Sequence, residues 1–218
     1  MAFAVSAASL DERCAGAATF GGTIADARAQ LDSALERAQQ LRKQIQGASA
    51  PASQQLLSPE ERARLLRDQQ KIDLDNLALL DSIFCKLGWP GIDAVGQRAS
   101  FAAFLIVQHA ELAAQESYLP ALQKAATNNQ AQPAQVATLE DRISVRRGRA
   151  QRYGTQLCYL KGGGYAWRPI ENEDESALNA ARERVGLGSI SAYAAGFKTT
   201  YTTPSRKPCD APIGSSQR

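Results

Sequence analysis

The stretch that decides the fold is SPEERARLLRDQQKIDLDNLALLDSIFCKLGWPG, residues 58–91. It begins with a strong helix start, because Ser58 can cap the first turn, Pro59 suits the first helical position and Glu61 completes a capping box. Apolar residues then recur at three- and four-residue steps until Gly88, a residue type that commonly ends helices. These residues predict a long amphipathic helix that stops in a Gly-Trp-Pro-Gly turn.

Polar residues interrupt the side of this helix that is predicted to face inward. The stripe consists of Leu65, Asp68, Ile72, Asn76, Leu79 and Ile83. An unsatisfied buried polar group costs about 1–3 kcal/mol, so polar groups on such a side are expected to have hydrogen-bond partners or a function. Asp68 and Asn76 are therefore candidates for buried polar contacts.

The segments on either side of this helix predict a mainly α fold with one small β-hairpin. Two short β-type runs around a Gly-rich turn place the hairpin at about 155–170. Helical periodicity is found over 23–47, 96–126, 134–149, 172–185 and 189–195. Pro120 falls inside the second of these and predicts a break or kink near Leu119.

The same patterns divide the chain into four predicted parts. They are a signal-like, flexible N-terminus at 1–22, an extra N-terminal helix with its linker at 23–50, a main helical domain at 56–196 and a C-terminal tail at 197–218. The small-residue linker around Pro51 sets the N-terminal helix apart, so this helix is expected to be an appendage that can dock a protein partner.

Composition limits the possible partners. The chain has 218 residues, of which 44% are hydrophobic and only 6% aromatic, which favours a helical domain with a core of its own. Its net charge of +3 is too small for the clustered basic footprint of a nucleic-acid-binding protein. No apolar run approaches the ~20 residues of a membrane helix. We therefore expect neither nucleic acid nor a membrane span.

The N-terminus and the cysteines point to export. Residues 1–9 combine a short apolar run with small residues, which is typical of the end of a secretory signal. A periplasmic or secreted protein is expected, or a cytoplasmic one if this segment is not a truncated signal. The four cysteines are Cys14, Cys85, Cys158 and Cys209. An even number suits two disulfides that hold the tails, with three connectivities open, and four reduced thiols are the alternative.

The candidate site is centred on His109, the only histidine of the chain. It shares a helical stripe with Phe101, Leu105 and Leu112, is expected to point inward, and can act as a general acid or base. Asp68 or Glu111 would orient it. Arg142 would bind an anionic group, and Tyr153 would be a second proton-transfer group. The predicted substrate-binding set is completed by Gln108, Gln151, Gln156 and Trp89.

Each of these residues also has an ordinary structural explanation. His109 can be a core histidine satisfied by Gln108 or a backbone carbonyl, Tyr153 can plug the core, and Arg142 can form a salt bridge. One histidine and cysteines without Cys-x-x-Cys spacing provide no standard zinc site, so neither a metal nor a cofactor is predicted.

Several short segments together resemble an uncharacterised bacterial domain-of-unknown-function family over residues 65–193. They are Asp68-Gln69, Gly88-Trp89-Pro90, Val95-Gly96, Val107-Gln108-His109-Ala110, Leu119-Pro120, Asp141-Arg142, Gly148, Gln151-Arg152-Tyr153-Gly154-Thr155-Gln156 and Pro169-Ile170. The chain departs from the family at Ile72 and Glu111. The resemblance implies one constellation made of Asp68, Gln108, His109, Arg142, Tyr153 and Gln156, and no known reaction.

Three functions fit these residues. The first is an exported, metal-free acid–base enzyme, a hydrolase or a lyase that acts on a saccharide or cell-envelope substrate. In this case Asp68, His109, Arg142 and Tyr153 would converge in one polar pocket. The second is a non-catalytic module that binds a small ligand or a protein and uses the same residues as a structural polar network. The third is a secreted antibacterial toxin.

Overall fold

A computed structural model of the chain describes residues 9–47, 57–160 and 164–201. Within these ranges the elements are α1 (Leu10–Gly16), α2 (Ile24–Gly47), α3 (Pro59–Leu87), α4 (Ile92–His109), α5 (Leu112–Thr127), α6 (Pro133–Arg146), β1 (Leu157–Tyr159), β2 (Tyr165–Trp167), α7 (Glu175–Arg184) and α8 (Ile190–Gly196). The predicted fold class, mainly α with one hairpin, is confirmed. No helix in the described ranges combines the length and the apolar character that crossing a membrane requires.

The chain forms two compact units that divide between Ala131 and Gln132. This boundary differs from the predicted one, which separated an N-terminal helix from a main domain over 56–196. The reason is that α2 is part of the first unit: its apolar stripe is buried, with Ala27, Leu31 and Ala34 inaccessible to solvent. Helix α2 packs against α3 and α4, and the docking of a protein partner on it stays a prediction.

The start of α3 has the predicted capping box. The Ser58 Oγ accepts a hydrogen bond from the Glu61 backbone N–H at 3.1 Å, and the Glu61 carboxylate accepts one from the Ser58 N–H at 2.9 Å. These bonds satisfy donors that every helix start leaves open. At the other end, α3 ends at Leu87 and is followed by Gly88, whose φ of 75° lies in the left-handed region.

The helix predicted over 96–126 is two helices, and the break is not where proline predicted it. Ala110 and Glu111 have extended backbones, with ψ of 172° and 161°, and they separate α4 from α5. Pro120 lies inside α5, which continues to Thr127. Of the predicted break or kink near Leu119, the break is therefore wrong, because two extended residues that are neither glycine nor proline separate the helices.

A disulfide holds α1 against α3. Cys14 is bonded to Cys85, 71 residues further along the chain. Arg13 adds a salt bridge to Asp81 at 2.9 Å, and its guanidinium lies 5.8 Å from the centre of the Tyr118 ring. The N-terminal part predicted to be flexible is thus helical from Leu10 and cross-linked, while residues 1–8 of the signal-like segment lie outside the described residues.

The second unit contains α6, the hairpin, α7 and α8. The hairpin is antiparallel and pairs Leu157 with Trp167 and Tyr159 with Tyr165. Its buried side forms a core with α7 and α8, made of Leu157, Trp167, Ile170, Leu178, Ile190 and Ala194. Cys158 is also disulfide-bonded. Cys209 and most of the predicted tail at 197–218 lie outside the described residues.

Candidate functional site

His109 is the last residue of α4 and lies at the edge of the core of the first unit. On its side of the helix, Phe101 is 42% exposed and Leu105 is half-buried, as is His109 itself. The fully buried side of α4 is carried by other residues, among them Ala102 and Val107. The predicted stripe therefore lies at the margin of the core and not on the side of α4 that faces it, so His109 is partly exposed to solvent.

A small cavity adjoins His109, and we call it the His109 cavity. Its walls come from α2, α3 and α4 and include Arg42, Asp73, Asn76 and Leu105. The centre of a water molecule can occupy about 10 Å³ of it. This is about the minimum volume for one water molecule, which also needs polar partners of the kind found here.

The polar side chains of the His109 cavity include an ion pair and a buried amide. The Arg42 guanidinium donates to the Asp73 carboxylate at 2.7 Å, and both side chains are largely buried. Burial raises the pKa of Asp73, and the positive charge of Arg42 opposes this effect. Asn76, only 4% exposed, lies one turn further along α3. The cavity thus combines an imidazole, an ion pair and an amide.

Asp68 does not belong to this cavity. Its side chain is exposed, and the carboxylate that lines the cavity is that of Asp73. The prediction that Asp68 points inward is wrong, because the fully buried residues of α3 begin only at Asn76. The early turns of the helix have the periodicity of a packed face, but no neighbour among the described residues buries them.

The other predicted residues near His109 have separate surroundings. The carbonyl of Gln108 accepts a hydrogen bond from the Gln115 side chain at 2.7 Å. Trp89 is half-buried, and its ring contacts that of Tyr118 edge to face, with 6.4 Å between ring centres. It is not among the residues that line the His109 cavity. Its buried Nε1 has no hydrogen-bond partner among the described residues.

In the second unit, the buried Asp141 carboxylate organises residues 151–156, which we call the 151–156 loop. It accepts hydrogen bonds from the backbone N–H groups of Arg152, Tyr153 and Thr155 at 2.7, 3.0 and 3.0 Å, and one from the Thr155 hydroxyl at 2.9 Å. Burial raises the pKa of Asp141, and the bonds from Thr155, Tyr153 and Arg152 oppose this.

The two glutamines of the loop bind backbone as well. Gln151 is fully buried, and its amide donates to the carbonyls of Gln156 and Arg168 at 2.9 and 2.8 Å. Its side-chain oxygen accepts from the Gln156 N–H at 2.7 Å. The Gln156 amide donates to the Thr138 carbonyl at 3.5 Å and to the Thr155 hydroxyl at 3.0 Å. Both glutamines, predicted to bind substrate, are thus engaged in holding the loop.

Arg182 closes the loop from the other side. Its guanidinium is 1% exposed and donates to the carbonyls of Tyr153 and Gly188. It also lies 5.1 Å from the centre of the Tyr193 ring, whose hydroxyl donates to the Thr155 carbonyl at 2.9 Å. Burial raises the pKa of Tyr193, and the charges of Arg182 and Arg142 oppose this. Arg142 therefore belongs to the same charged neighbourhood.

These observations divide the predicted site residues between two places. His109, Gln108, Asp68 and Trp89 belong to the first unit, and Arg142, Gln151, Tyr153 and Gln156 belong to the second. The convergence of Asp68, His109, Arg142 and Tyr153 in one pocket stays a prediction. The Tyr153 side chain is 7% exposed, and burial raises its pKa. At neutral pH this phenol is a proton donor rather than a base.

Comparison with protein families gives one result. A family described as "Family of unknown function (DUF6624)" matches residues 25–204. The chain belongs to this family. The predicted resemblance to a domain of unknown function is therefore confirmed, and membership extends beyond residues 65–193 to most of the chain. No curated protein and no solved structure matched the chain.

The DUF6624 match covers both units.

The site contains residues that the sequence patterns did not reveal. Arg42 and Asp73 were missed, although Asp73 lies three residues before Asn76, on the same side of α3. Arg182 was missed because an arginine near a helix end is usually solvated. Among the described residues there is no group of three or more metal-ligating side chains.

Proposed function

We propose that the His109 cavity is a metal-free acid–base site and that the chain is a hydrolase. The observation that carries this proposal is the composition of the cavity. It places the only histidine of the protein beside the Arg42–Asp73 pair and Asn76, around a space of the size of one water molecule. A hydrolase needs a water molecule held beside a base that changes protonation near neutral pH, and histidine is the usual choice.

Each polar side chain has a role in this proposal. His109 removes a proton from the water as it attacks the substrate and returns it to the leaving group. Asn76 and the Arg42–Asp73 pair provide hydrogen-bond partners that hold the water. Because Asp73 is paired with Arg42, we assign the change of charge during the reaction to the imidazole.

A substrate fits at the open side of His109. Phe101 and Leu105 lead towards it along one side of α4 in steps of four residues, and Phe101 is the most exposed of the three. An apolar strip beside a polar centre suits the face of a sugar ring, so we propose a saccharide or cell-envelope substrate. Proton abstraction by the same base would make the enzyme a lyase instead.

Turnover by matched variants tests the proposal. The probes are p-nitrophenyl acetate, p-nitrophenyl glycosides and polygalacturonate, which report ester hydrolysis, glycoside hydrolysis and elimination. We expect His109→Gln to lower kcat by about 10²–10⁴-fold, the usual contribution of a general base. Asp68→Asn, a change of an exposed carboxylate, is the control and should keep wild-type turnover. Equal turnover by His109→Gln and the wild type would refute the proposal.

A second function is favoured by a different observation. Around the 151–156 loop, the buried Asp141 carboxylate and the amide of Gln151, which was predicted to bind substrate, both bind backbone, as expected of a structural network. A protein whose polar clusters are all of this kind would be a non-catalytic ligand- or protein-binding module. Calorimetric binding of galacturonate oligomers without turnover of any probe would support this second function.

Export is part of the proposal. The Cys14–Cys85 disulfide supports it, because disulfides persist in oxidising compartments such as the periplasm and are rare in the cytosol of most organisms. Thiol titration of protein taken from the periplasmic and cytoplasmic fractions tests this. Four free thiols in periplasmic protein would contradict it.

A further inference from the structure

The junction between α4 and α5 is held by one buried side chain. Gln115, in the first turn of α5, is fully buried, and its Nε2 donates to the Gln108 carbonyl at 2.7 Å. The bond crosses the two extended residues that separate the helices. Its acceptor belongs to the residue that precedes His109.

We propose that Gln115 is a positioning residue that fixes the end of α4 and, with it, the imidazole of His109. This inference rests on the proposed function only in taking His109 as the residue that acts on substrate. Gln115 would act through the backbone of Gln108 and would not touch the substrate.

The geometry of helix ends explains why such a bond is needed. The last four carbonyls of a helix have no partner within it, and the Gln108 carbonyl is one of these in α4. The N–H of Ala110 already bonds to the carbonyls of Ile106 and Val107. The Gln115 amide therefore satisfies a carbonyl that the helix cannot, and it joins the two helices across their break.

The second polar atom of Gln115 strengthens the argument. Its buried Oε1 has no hydrogen-bond partner among the described residues. Burying such an atom opposes folding, and an apolar side chain of the same size would avoid the cost. A glutamine at this place is therefore better explained by what its N–H group holds than by packing.

The experiment uses the full-length protein with ¹³C- and ¹⁵N-labelled histidine. Because the chain has a single histidine, its ring gives one set of signals, and their positions and pH titration report on His109 alone. Gln115→Met keeps the length of the side chain and removes the donor. Ser117→Ala is the control, because its hydroxyl donates to the Ala114 carbonyl within α5 and, among the described residues, to no other group.

We expect Gln115→Met to displace the ring signals and the titration midpoint of His109, and Ser117→Ala to leave both at their wild-type positions. Hydrogen exchange at residues 108–112 should accelerate by about tenfold, as the loss of one buried hydrogen bond implies. Wild-type His109 signals in a folded Gln115→Met protein would overturn the inference, even if its melting temperature falls.

Gln115→Glu provides a rescue and a second decision if Gln115→Met does not fold. A protonated glutamic acid can donate to the Gln108 carbonyl, whereas its carboxylate cannot. The His109 signals should match those of the wild type at acidic pH and depart from them when the glutamate ionises. Signals that do not move with this ionisation would overturn the inference. Since the readout needs no turnover, it can fail or hold independently of the proposed activity.

Discussion

Replacing Asp141 is the most informative perturbation of the second unit. Its carboxylate accepts hydrogen bonds from four donors, which are three backbone N–H groups and the Thr155 hydroxyl. In Asp141→Ala all four donors lose their acceptor. The Arg152 N–H belongs to an exposed residue and can bind water, but the donors of Tyr153 and Thr155 belong to buried residues.

The expected cost follows from these donors. Each unsatisfied buried donor costs about 1–3 kcal/mol, and three of them would suggest a loss of several kcal/mol. Removing a buried carboxylate returns part of this, because burial disfavours its charged form and raises its pKa. We therefore expect Asp141→Ala to lower the free energy of unfolding by about 3 kcal/mol. Asp141→Asn should cost less, because its amide oxygen can still accept.

Urea denaturation measures this change, followed by tryptophan fluorescence in a Trp89→Phe background that leaves Trp167 as the single reporter. Glu183→Ala, an exposed substitution on α7, is the control and should stay within about 0.5 kcal/mol of the wild type. Amide exchange at Tyr153 and Thr155 should accelerate in Asp141→Ala and not in Glu183→Ala. The reasoning is refuted if Asp141→Ala loses less than about 1 kcal/mol and both amides exchange at wild-type rates.

Three further outcomes are expected. Replacing Cys14 and Cys85 with serine should lower stability in urea by up to about 4 kcal/mol, since the bond closes a 71-residue separation, and equal denaturation midpoints with and without a dithiol reductant would contradict this. Arg42→Gln should destabilise the protein more at pH 7.5 than at pH 4.5. Burial raises the pKa of Asp73 and Arg42 opposes this, so without Arg42 the folded-state pKa of Asp73 rises further and the stability of the variant falls as pH rises. A loss of stability that is independent of pH would argue against this. Gly154→Ala should cost about 1–3 kcal/mol in a thermal melt, because φ is +65° and the new Cβ would lie 3.1 and 3.2 Å from two isoleucine methyl groups, and an unchanged melting temperature would disprove this.

Local signals made much of the fold predictable. The limits of α3 follow from Ser58, Glu61 and Gly88, whose effects depend only on their immediate neighbours. The hairpin follows from its glycine-rich turn. The break at Ala110 and Glu111 was not predictable in this way, because neither residue type favours a break and the extended backbone there is held by Gln115, a residue several positions away.

The site was less predictable for the same reason. His109 could be identified because the chain has no other histidine. The pair of Arg42 and Asp73 depends on how α2 lies against α3, and no spacing within either helix encodes that alignment. Asp68 illustrates the opposite error: periodicity reports which side of a helix a residue occupies, and only a packed neighbour makes that side an interior.

The way Asp141 binds the 151–156 loop has a consequence for protein engineering. The carboxylate contacts main-chain N–H groups and one hydroxyl, so it is indifferent to the side chain carried by residue 152, which is exposed. A saturation library should therefore tolerate most amino acids at Arg152, except proline, at the cost of the contact that its guanidinium makes 5.4 Å from the centre of the Tyr153 ring, while rejecting most at Asp141 and Gln151. Position 152 is accordingly a suitable attachment point for a fluorophore or an affinity handle, because its backbone is held by Asp141 whatever side chain it carries.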